Sequence, residues 1–227
     1  MPITVSIHQS QYIPWFPYFK KIALADIFVV MDSVQYQKNG VQNRNKVRNY
    51  DGDFWLTIPV TGKLEDQIRE KRIADASWRA KHWKSLKSSY SKAPYWAPHE
   101  AELGALYAAD YATLYEANNA LFSFMLKAFG IGTKIVPLSD LKAGGAKSEL
   151  VLNICRELGA ETYVSGTGGK AYLDEASFAA ARIAIRYESA ASPAYAQFHG
   201  AFIPDLSALD MLFNVPQEEI RSVLAGT

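Results

Sequence analysis

ITVSIHQSQYIPWFPYFKKIALADIFVVMD, residues 3–32, holds a complete strand–helix–strand unit. ITVSI (3–7) is β-branched and apolar, the composition of a strand. PWFPYFKKIALA (14–25) turns helical, with Phe16, Phe19, Ile22 and Ala23 recurring at three-to-four spacing. Pro14 and Pro17 fall early, where a first helical turn tolerates a missing N–H. DIFVVMD (26–32) is a continuous apolar run, the pattern of a strand covered on both faces. A strand, a crossover helix and a second strand within thirty residues predict two parallel neighbours in one sheet.

Outward from this unit, residues 35–53 read as loop or hairpin, with turn signals at Asn39-Gly40 and Asp51-Gly52. FWLTIPV (54–60) reads as a strand that Pro59 confines to an edge or ends. Residues 61–130 read as mainly helical, closing at Gly130 or Gly132. TKIVPL, ETYVSG and IAIRYE then read as strands alternating with the helices KSELVLNICRELG and YLDEASFAAAR, before an irregular tail. The expected fold is α/β, a mostly parallel sheet with helices on both faces. The expectation is a single domain, 1–227, with 61–130 as a helical insertion.

Among 227 residues, 49% are hydrophobic and 21% charged, enough apolar surface for a sizeable core. A net charge of +1 supplies no global field toward nucleic acid, so no nucleic-acid partner is expected. No apolar run nears the eighteen or so residues a membrane span needs, and no membrane insertion is expected. The start lacks a charged lead and an apolar core, which fits a cytoplasmic protein. The single cysteine, Cys155, lies in an apolar helical context and reads as a buried small hydrophobe. No His/Asp/Glu group has metal-ligand spacing, and no Gly-x-Ser-x-Gly elbow, P-loop or dinucleotide glycine fingerprint occurs.

In an open parallel sheet, ligands bind beyond the carboxyl ends of the strands. That rule selects His8, Gln9, Gln11 and Tyr12 after the first strand, and Asp32, Gln35 and Tyr36 after the second. It also selects SGTGGK, with Ser165, Gly166, Thr167 and Lys170. Glycines there let backbone N–H groups approach an anion, although a glycine-rich turn is also ordinary loop chemistry. His8 suits a donor or general acid near phosphate or carboxylate; the competing reading is a structural histidine bonded to backbone. Lys147 opens a helix, where a cation opposes the dipole, and so points to a bound anion. Ser148 beside it reads as an N-cap. Asn43 and Arg44 belong to a basic, amide-rich loop with Lys38, Lys46 and Arg48, which suits phosphate or nucleotide sugar, single-stranded nucleic acid stacked on Tyr36 and Tyr50, or simple solvation, the near-neutral net charge ranking nucleic acid last.

HQSQYIPWFPYFKKIALADIFVVMDSVQYQKNGVQNRNKV resembles the opening signature of the WbqC-like protein family, associated with polysaccharide and O-antigen biosynthesis. The likeness continues through KSELVLNICRELGAETYVSGTGGKAYLD and YAQFHGAFIPDLSALDMLFN. Ser10 and Pro17 stand where the signature carries a proline and a glycine. A fainter similarity joins the chain to Rossmann-like, nucleotidyltransferase-like α/β enzymes such as pantothenate synthetase. The resemblance implies a transferase moving an acyl or aminoacyl group to the amine of a nucleotide-linked amino sugar. His8 and Lys147 would then be catalytic and the other residues would hold substrate or nucleotide. The substrates would be a nucleotide sugar and an acyl or aminoacyl donor; the cofactor, ATP with magnesium or none, and oligomerisation are left open. A nucleotide-sugar or glycan binding module without catalysis is the alternative.

Overall fold

The structure is a computed structural model that describes residues 2–63, 65–189 and 191–226. Its elements, in chain order, begin with β1 (Ile3–Gln9), α1 (Phe16–Ala23) and β2 (Ile27–Met31). Next come β3 (Arg44–Asn49), β4 (Gly52–Thr57), β5 (Val60–Thr61) and β6 (Arg72–Ile73). Three helices follow, α2 (Trp78–Tyr90), α3 (Ala97–Ala108) and α4 (Leu114–Phe129). The chain then runs through β7 (Lys134–Pro137), α5 (Lys147–Glu157), β8 (Ala160–Gly166), α6 (Glu175–Ala180) and β9 (Ala184–Glu188), ending in α7 (Ala208–Asn214) and α8 (Gln217–Ala225). They group into two compact units, one of Met1–Gln9, Pro17–Ser33 and Gly132–Ala191, the other of Ser10–Phe16, Val34–Ile131 and Ser192–Thr227.

The first unit is the expected α/β fold. Its five strands are all parallel and lie in the order β7-β2-β1-β8-β9. Ranked by chain position, that order is 3-2-1-4-5, the doubly wound arrangement, which reverses direction between β1 and β8. β1 is central and covered on both sides: Val5, Ser6 and Ile7 are all buried. The one hydroxyl in that run is satisfied, because Ser6 Oγ donates to the Val164 carbonyl at 3.0 Å. α1 begins two residues later than the sequence pattern predicts and buries Phe19 and Ile22. Pro17 occupies its first turn, where no helical hydrogen bond is lost. Cys155 is fully buried on α5, and burial pushes its thiol up to about 12, so it is a packing residue.

The second unit joins the antiparallel β3–β4 hairpin to an aromatic-rich helical core. Trp78, Tyr90, Trp96, Tyr107 and Phe213 are buried there, and Trp96 meets Phe213 edge-on at 4.9 Å. The helices start at 78 rather than near 61, because 60–61 and 72–73 form a short strand pair instead. α4 carries the strongest local signals. Thr113 accepts from the Glu116 amide while Glu116 accepts from the Thr113 amide, and Gly130 ends the helix at φ +70°. The tail is not irregular throughout. Ser207 caps α7 by accepting from the Leu209 amide, and α8 follows Pro216.

Residues 10–16 are tied into this second unit. Ile13 is fully buried with φ +36°, rare for a β-branched residue, and the Asn45 amide donates to its carbonyl at 2.9 Å. Ser207 donates its backbone N–H to the Lys46 carbonyl, and Ala208 donates to Pro14. Ser10, where the family signature has proline, is buried and pairs with the Asn118 amide at 3.2 Å.

Candidate functional site

The strand order reverses between β1 and β8, and ligands of doubly wound sheets bind beyond the carboxyl ends of the strands at such a point. His8 and Gln9 end β1 there, in register with Val30 and Met31 of β2. Ser165 and Gly166 end β8, and Thr167–Ala171 form a 3-10 turn directly after it. The two polar segments expected to hold ligand therefore flank the switch point of one sheet.

Lys21 adds a cation beside these strand ends, although nothing in the sequence pattern singled it out. It lies on α1, is 7% exposed, and its Nζ comes within 3.5 Å of the Ile7 carbonyl. Its Cδ sits 4.0 Å from where a Cβ on Gly166 would be, so the side chain runs under the end of β8. The neighbouring Lys20 pairs with Glu188 at 2.6 Å, whereas Lys21 has no carboxylate partner among the described residues. Burial pushes its amine down to about 8, so it exchanges its proton near physiological pH. The ring of His8 is held well below the ordinary imidazole range, first by burial and second by Lys21, against a backbone hydrogen bond at Gln9. At neutral pH His8 is thus a neutral imidazole, a proton acceptor beside a cation, rather than a cationic donor. It packs edge-on to Tyr18 at 4.9 Å, which fixes the ring plane.

Around this pair the rim is built from backbone. Asp32 is fully buried at the end of β2 and accepts from the Ser139 amide at 3.0 Å, which ties β2 to the turn after β7. Ser165 is also buried, and its hydroxyl donates to the Gly166 carbonyl at 3.0 Å, so it shapes the turn. Thr167 and Lys170 are exposed on the 3-10 turn, and Lys170 Nζ lies 5.1 Å from the Tyr187 ring centre. Lys147 opens α5 as an exposed residue at φ +53°, a left-handed conformation that costs about 1 kcal/mol or more for a non-glycine residue. Ser148 does not cap its own helix. Its Oγ accepts from the Asp174 amide at 2.8 Å, which links the start of α5 to the segment after the glycine turn.

The glycines of that turn differ in what they permit. A Cβ on Gly169 would collide with Ser165 Oγ and approach Leu173 Cδ1 to 2.9 Å, whereas a Cβ on Gly168 meets nothing within 4 Å. Gly169→Ala is therefore expected to destabilise the protein by about 1–3 kcal/mol through overpacking. Gly168→Ala should melt within a degree or two of the parent, and equal melting temperatures for both variants would show that the turn is not close-packed.

The remaining predicted residues belong to the second unit. Tyr12 is fully buried, and its hydroxyl is spent on His82 Nδ1 at 2.8 Å and the Tyr107 hydroxyl at 2.7 Å. Burial holds His82 down to about 4, consistent with a neutral ring accepting from Tyr12. Gln11 is buried, while Gln35 is exposed and bridges backbone to Gln67. Tyr36, Asn43 and Arg44 converge on a groove of about 450 Å³. The expected residues thus form a switch-point set in one unit and a groove set in the other. Among the described residues no three His, Cys, Asp or Glu side chains gather as a metal site. No helix among them is long and apolar enough to cross a membrane.

The model of the WbqC-like protein family matches residues 9–222. An uncharacterised protein of Mycobacterium tuberculosis strain H37Rv, Rv1507c, is 35% identical over 218 residues, covering 94% of each chain. The match begins at Gln9, one residue after His8, and takes in the Lys21 helix, the glycine turn and the α7 segment. On both counts the chain belongs to the WbqC-like protein family.

Proposed function

We propose that the chain is a transferase of surface-polysaccharide biosynthesis, moving an acyl or aminoacyl group onto the amine of a nucleotide-linked amino sugar. The observation that carries this reading is the pairing of a neutral imidazole, His8, with a buried amine, Lys21, at the switch point of a doubly wound sheet. The family supports the polysaccharide setting. In the transfer step the acceptor amine attacks the carbonyl carbon of an acyl phosphate anhydride. The C–N bond forms, the C–O bond to phosphate breaks, and the electron pair leaves with the phosphate oxygen. His8 takes the proton that the amine sheds, and protonated Lys21 steadies the charge gathering on oxygen. Backbone N–H groups of the 167–171 turn, with Lys147 and Lys170 beside it, would seat phosphates.

The test is to incubate the protein with UDP- and dTDP-linked amino sugars, ATP and a panel of carboxylic and amino acids. The expected product is a nucleotide sugar heavier by one acyl or aminoacyl group, seen by mass spectrometry. Binding of nucleotide sugars by calorimetry without any product across the panel would replace the transferase with a binding module.

A further inference from the structure

The second unit contains a cationic groove separate from the switch-point residues. It is about 450 Å³ in volume and lined by Tyr36, Lys38, Asn39, Asn43, Arg44 and Lys71, with Thr57, Val60 and Thr61 at its wall. No Asp or Glu lines it. Neither Lys38 nor Arg44 has a carboxylate partner among the described residues. Lys71 is 3% exposed and anchored by Asp66 at 3.5 Å and by the Lys63 carbonyl. Two cations without a carboxylate partner among the described residues, Lys38 and Arg44, share this groove with Lys71, whose charge Asp66 offsets in part, although the whole chain carries a net charge of only +1. Such crowding is unfavourable until an anion enters.

The groove is also rigid. The Arg44 guanidinium lies 4.4 Å over the Trp55 ring and donates to the Asn39 carbonyl, while Lys71 Nζ sits 5.0 Å from the centre of the Tyr36 ring. Asn43 donates its side-chain amide to the Ile58 carbonyl at 2.8 Å, fixing the floor. A stacked guanidinium held in one orientation offers its fork to a tetrahedral or planar anion at low entropic cost. The hydroxyls of Thr57 and Thr61 and the amide of Asn39 add neutral hydrogen-bonding groups of the kind that recognise sugar hydroxyls. A volume of this size takes one monosaccharide with its phosphate.

We infer that this groove is a sugar-phosphate site, in which Lys38, Arg44 and Lys71 hold the phosphate and the Asn and Thr side chains hold the ring. The inference does not depend on the transfer reaction proposed above. The phosphate reaches the groove either as a free sugar phosphate or as the sugar-proximal phosphate of a nucleotide sugar.

The test is calorimetry with three probes, N-acetylglucosamine 1-phosphate, UDP-N-acetylglucosamine and neutral N-acetylglucosamine. The expected result is binding of at least one phosphorylated probe, no detectable binding of the neutral sugar, and affinity that falls with added salt. Arg44→Met should weaken the bound probe at least tenfold. Lys38→Met, at an exposed position that folding does not need, should weaken it severalfold. Lys84→Met, at an exposed position of α2 outside the groove, should leave it within twofold. Tighter binding of the monophosphate assigns the free sugar phosphate as ligand; tighter binding of the UDP sugar, still lost in both groove variants, assigns the nucleotide sugar. Equal binding by the neutral sugar, or phosphorylated-probe affinity unchanged in Lys38→Met and Arg44→Met, overturns the site.

Discussion

Lys21→Met is expected to lower turnover by about 10²- to 10³-fold, the usual worth of one group aimed at developing charge, and at the same time to stabilise the protein at neutral pH. The two effects have one origin. The buried amine gives up its proton near pH 8 in the fold and near 10.5 once unfolded. Below pH 8 both states are charged and the fold carries the full cost of burying an ammonium. Between 8 and 10.5 the unfolded chain binds more protons, so stability rises with pH across that window. The shift corresponds to about 3 kcal/mol, and a Met side chain of similar length removes it. Melting of Lys21→Met should therefore be highest relative to the parent at pH 7 and converge with it near pH 10. In the rate profile the parent should show an ionisation near 8 that the variant lacks. His8→Gln should be inactive too, without the gain in stability at pH 7, since the neutral imidazole already costs nothing there. A Met variant that turns over normally, or melts below the parent at pH 7, would remove Lys21 from the mechanism. Gain of stability with loss of activity is the mark of a group kept for chemistry rather than for packing.

Lys21 also shows where reading the sequence stops. FPYFKKIA presents two adjacent lysines in the last turn of a helix, where basic residues complement the dipole and usually face water. Lys20 conforms, reaching Glu188 with its side chain partly exposed. Lys21 does not, and only the crossing of α1 against β1 and β8 determines which of the two is buried. The strands themselves were legible, because ITVSI is β-branched and apolar and IFVVM is a continuous apolar run. Their order was not, because a 3-2-1-4-5 arrangement follows from non-local pairing. The rule that ligands gather at carboxyl ends needed no order to select His8, Gln9 and the glycine turn. The order then singled out β1 and β8 among five strand ends.

The hairpin and the tail were harder for different reasons. RNKVRN has one apolar residue in six, so β3 lacks the alternation that marks a half-buried strand. It is buried nonetheless, because its polar groups are satisfied one by one. Asn45 donates to the Ile13 carbonyl, and Arg48 donates to Gln197 and to the Ala201 carbonyl. Such pairings join residues up to 153 apart and leave no local trace. Tyr12 misled for a similar reason: a tyrosine among glutamines after a strand suits a ligand, yet its hydroxyl closes an internal network with His82 and Tyr107. In the tail a signal was present, since Ser207 followed by Asp210 before an apolar run is the start of a helix.

That Asp210 governs the largest pH effect expected on folding. It is fully buried on α7, near Arg48, Tyr90 and Tyr195, and Asn214 donates to it at 3.2 Å. Burial pushes its carboxyl up to about 7, against Arg48 and Asn214, which both favour the charged form. Burial prevails because the guanidinium of Arg48 is engaged with Gln197 and the Ala201 carbonyl rather than paired with the carboxylate. The fold therefore keeps this proton up to about pH 7, whereas the unfolded chain releases it near 3.8. Between those values the folded state binds more protons, so stability falls as pH rises from about 4 to 7 and levels off above 7. The span corresponds to about 4 kcal/mol. Asp210→Asn keeps the shape and the hydrogen-bonding capacity of the protonated acid and cannot ionise. It should match the parent at pH 4.5 and exceed it increasingly up to pH 8, by up to about 4 kcal/mol in urea unfolding. A difference between Asn and Asp that stays constant from pH 4.5 to 8 would mean that Asp210 ionises as readily inside the fold as outside it. In that case Arg48, and not burial, would set the charge of the α7 core.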